Sequence, residues 1–221
     1  MERHLAEVFG DESDGYARWC AARKVATDTA DLNTTPNNNL NNGIDLTYGE
    51  IDIHLIDTAL RRARVNDAHH LVDIGSGYGR ALLAAALLFP HLDKLTGIEL
   101  LGPLHRGSIE YERLLRYSGG DNKINEDVDI SWVCDDYRGE KAQSVLQTAD
   151  LALCFATTWG DPSRLKVTEL SRKLANNMAQ GSRAVIVDKQ LCESDGWQLV
   201  DEFDSINKDT AESTVCVYQL N

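Results

Sequence analysis

Apolar positions along this chain switch repeatedly between a helical and a strand-like period, and the switching predicts alternating helices and strands. Ile51, Ile53, Leu55, Ile56, Ala59 and Leu60 recur at three- and four-residue steps, the mark of an amphipathic helix. Asp67-Ala-His-His70 turns into an apolar strand, Leu71, Val72 and Ile74, which runs through a glycine-rich turn into Ala81–Phe89. That last segment is apolar on every side, so it is read as a well-buried helix. Lys94–Leu100 follows as a second strand, and Pro103–Tyr117 as a helix with Leu104, Ile109, Leu114 and Leu115 inward, closed by Gly119-Gly-Asp-Asn122. Ile130–Cys134 is a third strand and Arg138–Gln147 a short helix. Leu151–Ala156 is a continuous apolar run, as expected of a strand buried on both faces of a parallel sheet. A helix from about Ser163 to Met178 ends at Gln180-Gly181. Ser182–Val187 is a fifth strand, and Trp197–Ile206 with Thr214–Leu220 alternate as a terminal antiparallel pair.

This order predicts an α/β fold with right-handed crossovers: a doubly wound, mostly parallel, seven-stranded sheet with an antiparallel C-terminal strand. Met1–Ala30 carries apolar residues at helical intervals, broken at Asp11-Glu-Ser-Asp14-Gly15, and reads as two short helices. Asp31–Asp45 holds Asn33-Thr-Thr-Pro36-Asn-Asn-Asn-Leu-Asn-Asn42-Gly43, too polar to form a core, and is either a linker or a loop ordered by ligand. Two regions follow: 1–45, a helical extension with a polar linker, and 46–221, the layered domain.

The net charge of −13, with 35 acids against 22 Lys and Arg and no basic cluster, lacks the basic stripe that nucleic-acid binders use to displace counterions. No apolar run nears the roughly 18 residues needed to span a bilayer. Met1-Glu-Arg-His opens no signal peptide, and the five cysteines are widely spread, three of them in strand-like runs where they read as small buried hydrophobes. An intracellular setting, cytoplasmic or nuclear, is expected, and no metal site, since no His/Cys pair stands at ligand spacing.

The candidate chemistry centres on Asp73-Ile-Gly75-Ser76-Gly77-Tyr-Gly79. Glycines at a strand–helix junction permit positive φ and close approach of a ligand, and the first amides of the helix lack intrahelical partners. Glu99 ends the second strand 26 positions after Asp73, where an acid reaches the ribose hydroxyls of a bound nucleoside. NAD enzymes share that acid, and a glycine turn that only packs strand on helix is the plain alternative.

The form Asp-x-Gly-Ser-Gly-x-Gly, with an acid before the turn, resembles class I S-adenosylmethionine (SAM) methyltransferases. Together with Tyr48-Gly49-Glu50 placed 25 positions before Asp73, the Gly97-x-Glu99 strand and the Asp136-Tyr137 strand end, it resembles the DOT (disruptor of telomeric silencing) type of histone lysine methyltransferase. The resemblance covers about Leu46 to Lys189 and extends to Asn177-Met178 and Gly181 before the fifth strand. It implies a Rossmann-like methyltransferase fold with S-adenosyl-L-methionine as cofactor. By the same resemblance Asp73, Gly75 and Gly77 hold the methionine end, Glu99 the ribose, and Asp136 and Tyr137 the adenine. Ser76, Gly79, Leu100 and Phe155 are further candidate cofactor contacts, with Phe155 also, like Tyr48 and Trp159, a candidate wall of an aromatic channel. Tyr48 and Glu50 lie on a loop closing over the methionine moiety, with 31–45 as its hinge.

The chain departs from that family where Asn-Asn-Phe lines the lysine channel: here stand Thr157-Thr158-Trp159. It also lacks the basic segment of the nucleosome-binding members. Tyr48, Thr157 and Trp159 are the candidate catalytic residues, since an apolar or aromatic channel favours a neutral amine. Thr157 and Thr158 are equally ordinary turn formers, and Trp159 is equally a loop anchor. The expected partner is a methyl acceptor, a basic protein or else a small molecule, without direct nucleic-acid or membrane binding. A non-catalytic SAM-binding scaffold is the remaining alternative.

Overall fold

A computed structural model describes residues 52–117, 123–157, 159, 163–207 and 211–221. The helical extension and polar tract of 1–45, and with them the lid hinge, lie outside the described residues. Helix α1, Ile53–Arg62, starts where the Asp52 carboxylate accepts the His54 amide at 2.8 Å, a side-chain N-cap. Its buried face is Ile53, Leu55, Ile56, Ala59 and Leu60, the stripe the spacing predicts.

The remaining elements are β1 (His70–Ile74), α2 (Arg80–Leu88), β2 (Lys94–Glu99), α3 (Gly102–Tyr117), β3 (Asp129–Cys134), α4 (Glu140–Leu146), β4 (Leu151–Phe155), α5 (Thr168–Asn177), β5 (Arg183–Val187), β6 (Trp197–Asn207) and β7 (Ala211–Leu220). The seven strands form one sheet in the order β3-β2-β1-β4-β5-β7-β6. β1 to β5 are parallel, and β7 inserts antiparallel between β5 and β6. Alternate strand residues feed two cores: Leu71, Leu95, Leu153 and Val185 face α1 and α2, whereas Val72, Ile98, Ala152 and Ile186 face α4 and α5. The result is the doubly wound, mostly parallel sheet with an antiparallel C-terminal pair that the sequence predicts.

At the sheet's opposite end from the glycine turn, polar groups knit the strands. Asp150 accepts the His69 and His70 amides at 2.9 Å each, and the buried His70 ring reaches Thr96 at 2.9 Å and the Thr148 carbonyl at 3.0 Å. Burial holds the His70 imidazole below its ordinary pKa.

Three expectations need correction. The helix expected from Ser163 begins only at Thr168. Residues 164–167 instead cling to the chain leaving β5: Gln190 donates to the Leu165 carbonyl at 2.9 Å and accepts the Val167 amide at 3.0 Å, and Lys189 Nζ donates to the Arg164 carbonyl. In α3 the inward residues are Leu104, Ser108 and Leu115, while Ile109 and Leu114 are exposed. The reason is that Tyr78 lies against Gly107, where an added Cβ would meet its ring at 2.4 Å, which fixes the helix rotation. Finally, of the strand cysteines Cys154 and Cys216 are buried, but Cys134 is exposed, because β3 is an edge strand.

Candidate active site

Sheet order reverses between β1 and β4, and ligands of open α/β sheets bind outside the carboxyl ends of the strands at such a point. The glycine turn sits there. Gly75, Gly77 and Gly79 all have positive φ, at 78°, 56° and 81°, so no L side chain fits the turn without strain. The Gly75 and Ser76 amides both donate to the Ile98 carbonyl, at 2.9 and 3.1 Å, tying the turn to β2. Glu99 completes the tie: Oε2 accepts the Gly77 amide at 2.8 Å and Oε1 the Leu101 amide at 2.7 Å.

Asp73 and Glu99 are both buried. Burial, then the neighbouring Glu99, pushes the Asp73 carboxyl up to about 7. Burial raises Glu99 as well, against the pull of the amides it accepts. Two neighbouring buried acids fit a ligand that brings positive charge. That donor set fits S-adenosylmethionine, which carries a sulfonium, an ammonium and a ribose. Leu100, beside Glu99, is exposed at the rim.

Behind the turn stands a residue that motif reading passes over. The Trp132 indole crosses the glycines: a Cβ on Gly79 would meet it at 2.3 Å and one on Gly97 at 2.5 Å. Its Nε1 donates to Glu112 at 2.6 Å, and Glu112 also binds Arg116. Gly97 of the Gly-x-Glu strand is therefore set by the Trp132 ring. The buried Ser76 hydroxyl lies in the same place, 2.8 Å from where a Gly97 Cβ would stand.

At the end of β3 the two acids divide their work. Asp135 accepts the Asp136 amide at 3.0 Å and the Lys141 and Ala142 amides at 3.2 and 3.4 Å, so it secures the start of α4. Asp136 accepts the Arg138 amide and Nε, each at 2.8 Å. Burial raises its carboxyl, but the Arg138 hydrogen bonds outweigh burial and hold it below the ordinary value. Tyr137 is half-buried, and that burial raises its phenol.

The end of β4 folds back over the glycine turn. The Trp159 amide donates to the Ala156 carbonyl at 2.9 Å, closing a tight turn. The indole then stacks on Tyr137, with centroids 5.4 Å apart and planes 29° apart, and lies on Gly75, whose Cβ would be 2.9 Å from it. Phe155 packs into the core below α1 and α2. Thr157 donates its hydroxyl proton to the Asp188 carboxylate.

Of the residues expected at the site, Asp73, Gly75, Ser76, Gly77, Gly79, Glu99, Leu100, Asp136, Tyr137, Phe155, Thr157 and Trp159 all gather at this one edge of the sheet. Tyr48, Glu50 and Thr158 lie outside the described residues. Sequence reasoning missed Trp132, Arg138 and Asp188. A Trp on the strand beside Gly97 was the available signal for the first; for Asp188, at a strand end, none was sufficient. Among the described residues no cluster of three or more His, Cys, Asp or Glu is arranged to hold a metal ion, and no helix is long and apolar enough to cross a membrane.

A Rossmann-like sheet with this glycine turn and these strand-end acids defines an S-adenosyl-L-methionine-dependent methyltransferase. The chain belongs to the histone methylation protein DOT1 family, whose model matches residues 22–217. No curated protein matches the chain. Solved structures share the fold at low identity. An rRNA methyltransferase, aviRa from Streptomyces viridochromogenes, is similar at TM-score 0.59 and 16% identity, covering 77% of this chain and 86% of its own. An RNA methyltransferase from Salinibacter ruber, solved with S-adenosyl-L-homocysteine, gives TM-score 0.54 and 17% identity, covering 78% and 94%. A putative O-methyltransferase from Klebsiella pneumoniae gives TM-score 0.52 and 11% identity, covering 91% and 99%.

Proposed function

We propose that this chain methylates an amine nitrogen, the side chain of a lysine on a basic protein. Membership of the histone methylation family supports the acceptor, and the net charge of −13 suits a basic partner. The observation that carries the reading is the Trp159 indole, stacked on Tyr137 and lying on Gly75, over the turn assigned to the methionine end. Bound there, the cofactor supplies an electrophilic methyl group on a sulfonium.

In this reading Asp73 meets the positive charge of the methionine end, beside the Gly75, Ser76, Gly77 and Gly79 backbone. Glu99 has lone pairs left beyond its two amide contacts and takes the ribose hydroxyls, beside Leu100. Asp136 and Tyr137 border the adenine side. Tyr48 and Glu50, from the family resemblance, close over the methionine moiety. Trp159 forms one wall of the acceptor approach, excludes water and penalises the charged form of the amine, which must be neutral to attack. Positioning then supplies much of the rate.

A small-molecule acceptor is the second reading, favoured by one observation: Thr157 and Thr158 stand where the resemblance expects amide side chains. The test is transfer of labelled methyl from SAM to protein and small-molecule fractions of an extract of the source organism, with calorimetry of SAM and its demethylated product. Label in protein lysine is expected. Label confined to small molecules replaces the acceptor, and binding without any transfer leaves a scaffold.

A further inference from the structure

The Thr157 hydroxyl is held by Asp188, a group with no role in the proposed reaction as described so far. Asp188 follows β5 in a left-handed conformation, φ 63°, unusual for a residue other than glycine. Its position is over-determined by β7: its amide donates to the Thr214 carbonyl at 2.8 Å, and its carboxylate accepts the Thr214 amide at 3.0 Å and the buried Ser213 hydroxyl at 3.3 Å. The remaining capacity of the same carboxylate takes the Thr157 hydroxyl proton. Thr157 is held equally firmly on its backbone side, since the preceding Ala156 amide donates to the Val187 carbonyl at 3.1 Å. Two residues later the same turn lays Trp159 on Gly75.

A hydroxyl has one proton and two lone pairs. With its proton given to a carboxylate, Thr157 offers only lone pairs to anything arriving at the carboxyl end of β4. We infer that Asp188 is a positioning residue that acts through Thr157: it locks this hydroxyl as a hydrogen-bond acceptor, and so selects a methyl acceptor that brings an N–H to that point. The inference rests on the amine reading above. A neutral amine that donates one N–H to Thr157 Oγ1 has its lone pair orientation restricted, which favours attack along one line. The amine lone pair forms the new N–C bond, the S–C bond breaks with its electron pair going to sulfur, and the resulting alkylammonium releases a proton to water. A carboxylate, or a ring nitrogen without hydrogen, finds no donor at Thr157 and is rejected by an unmet contact with its lone pairs. The negative charge behind Thr157 acts in the same direction against anionic acceptors.

The experiment is a double-mutant cycle on the full chain, with Asp188→Asn, Thr157→Val and the double variant. The probe is the acid-extracted basic protein fraction of the source organism, with labelled SAM; SAM affinity is measured by calorimetry. Asp188→Asn and Thr157→Val should each lower kcat about tenfold, the effect of one lost oriented hydrogen bond. KM and SAM affinity should stay within about twofold, the double variant should be no slower than Thr157→Val alone, and Thr157→Ser, which keeps the hydroxyl, should restore most of the rate that Thr157→Val loses. Should Asp188→Asn fail to fold, Asp188→Glu takes its place in the cycle. Additive losses, or an Asp188 variant with wild-type kcat, overturn the inference while leaving the amine reading intact. Wild-type protein that labels no lysine in the fraction overturns the amine reading, and this inference with it.

Discussion

The Glu99 carboxylate, at the end of one strand, accepts the Gly77 amide from the turn that follows its neighbour, at 2.8 Å. A residue assigned to the ribose is thus also a structural member of the glycine turn. Glu99→Ala should strand the Gly77 and Leu101 amides without their partner and cost about 2–6 kcal/mol, at about 1–3 kcal/mol for each buried donor left unmet. Denaturant unfolding checks the loss. Calorimetry should show SAM affinity falling at least tenfold. Unchanged stability would mean that the turn holds itself without Glu99.

Asp73 gives a pH dependence of definite sign. Its folded pKa, about 7, is raised above the ordinary value by burial and then by Glu99. Its stabilising contribution is therefore complete below the unfolded carboxyl value near 4 and is lost as pH rises through about 7. Cofactor-free protein should lose melting temperature from this group between about pH 4 and 7 and level off above. SAM affinity should move oppositely, rising by up to about tenfold from about pH 6 to 7 as the carboxylate ionises and meets a positive charge. In Asp73→Asn both slopes should flatten. Parallel pH profiles in the variant and the wild type would remove Asp73 from the cofactor's charge.

Gly97 is needed because Trp132 occupies the space of its missing side chain. Gly97→Ala puts a Cβ 2.5 Å from the indole and 2.8 Å from Ser76 Oγ. The expected cost is about 1–3 kcal/mol, the range for overpacking a filled site. In a Trp132→Leu background the same substitution should cost clearly less. Equal costs in the two backgrounds, measured by urea midpoint, would place the strain elsewhere.

Trp159 should report on the cofactor. Its ring lies on Gly75 and against Tyr137. Intrinsic fluorescence should change on adding SAM to the wild type, and the change should vanish in Trp159→Phe. Trp159→Ala should lower turnover more than about tenfold through loss of positioning, with a melting temperature within a few degrees of the wild type, since the ring is only half-buried. A Trp159→Ala protein with full turnover would leave the indole as a loop anchor alone.

Much of the fold was readable from the sequence because each element carries a strong local signal. Leu151–Phe155 is apolar throughout, and it is the strand at the centre of the sheet. Ala81–Leu88 is apolar all round, and six of its residues are buried. The α3 face was misread because Ile109 and Leu114 satisfy a helical period yet turn outward. Side-chain fit at Gly107, a contact with distant Tyr78, decides the rotation, and no periodicity contains it.

The order of residues by itself determined the glycine turn, its two acids and the strand ends that carry the candidate site. Backbone conformation and apolar burial are local demands, written in spacing and residue type, and Gly75, Gly77 and Gly79 express them directly. Only the tertiary structure decided what those residues touch. Trp132 sets Gly97, Trp159 covers Gly75, and Asp188 accepts the Thr157 hydroxyl across 31 residues. Such contacts depend on strand register and on which strands lie side by side. Pairing β4 with β5 and β5 with β7 brings together segments whose separation along the chain carries no sign that they will meet.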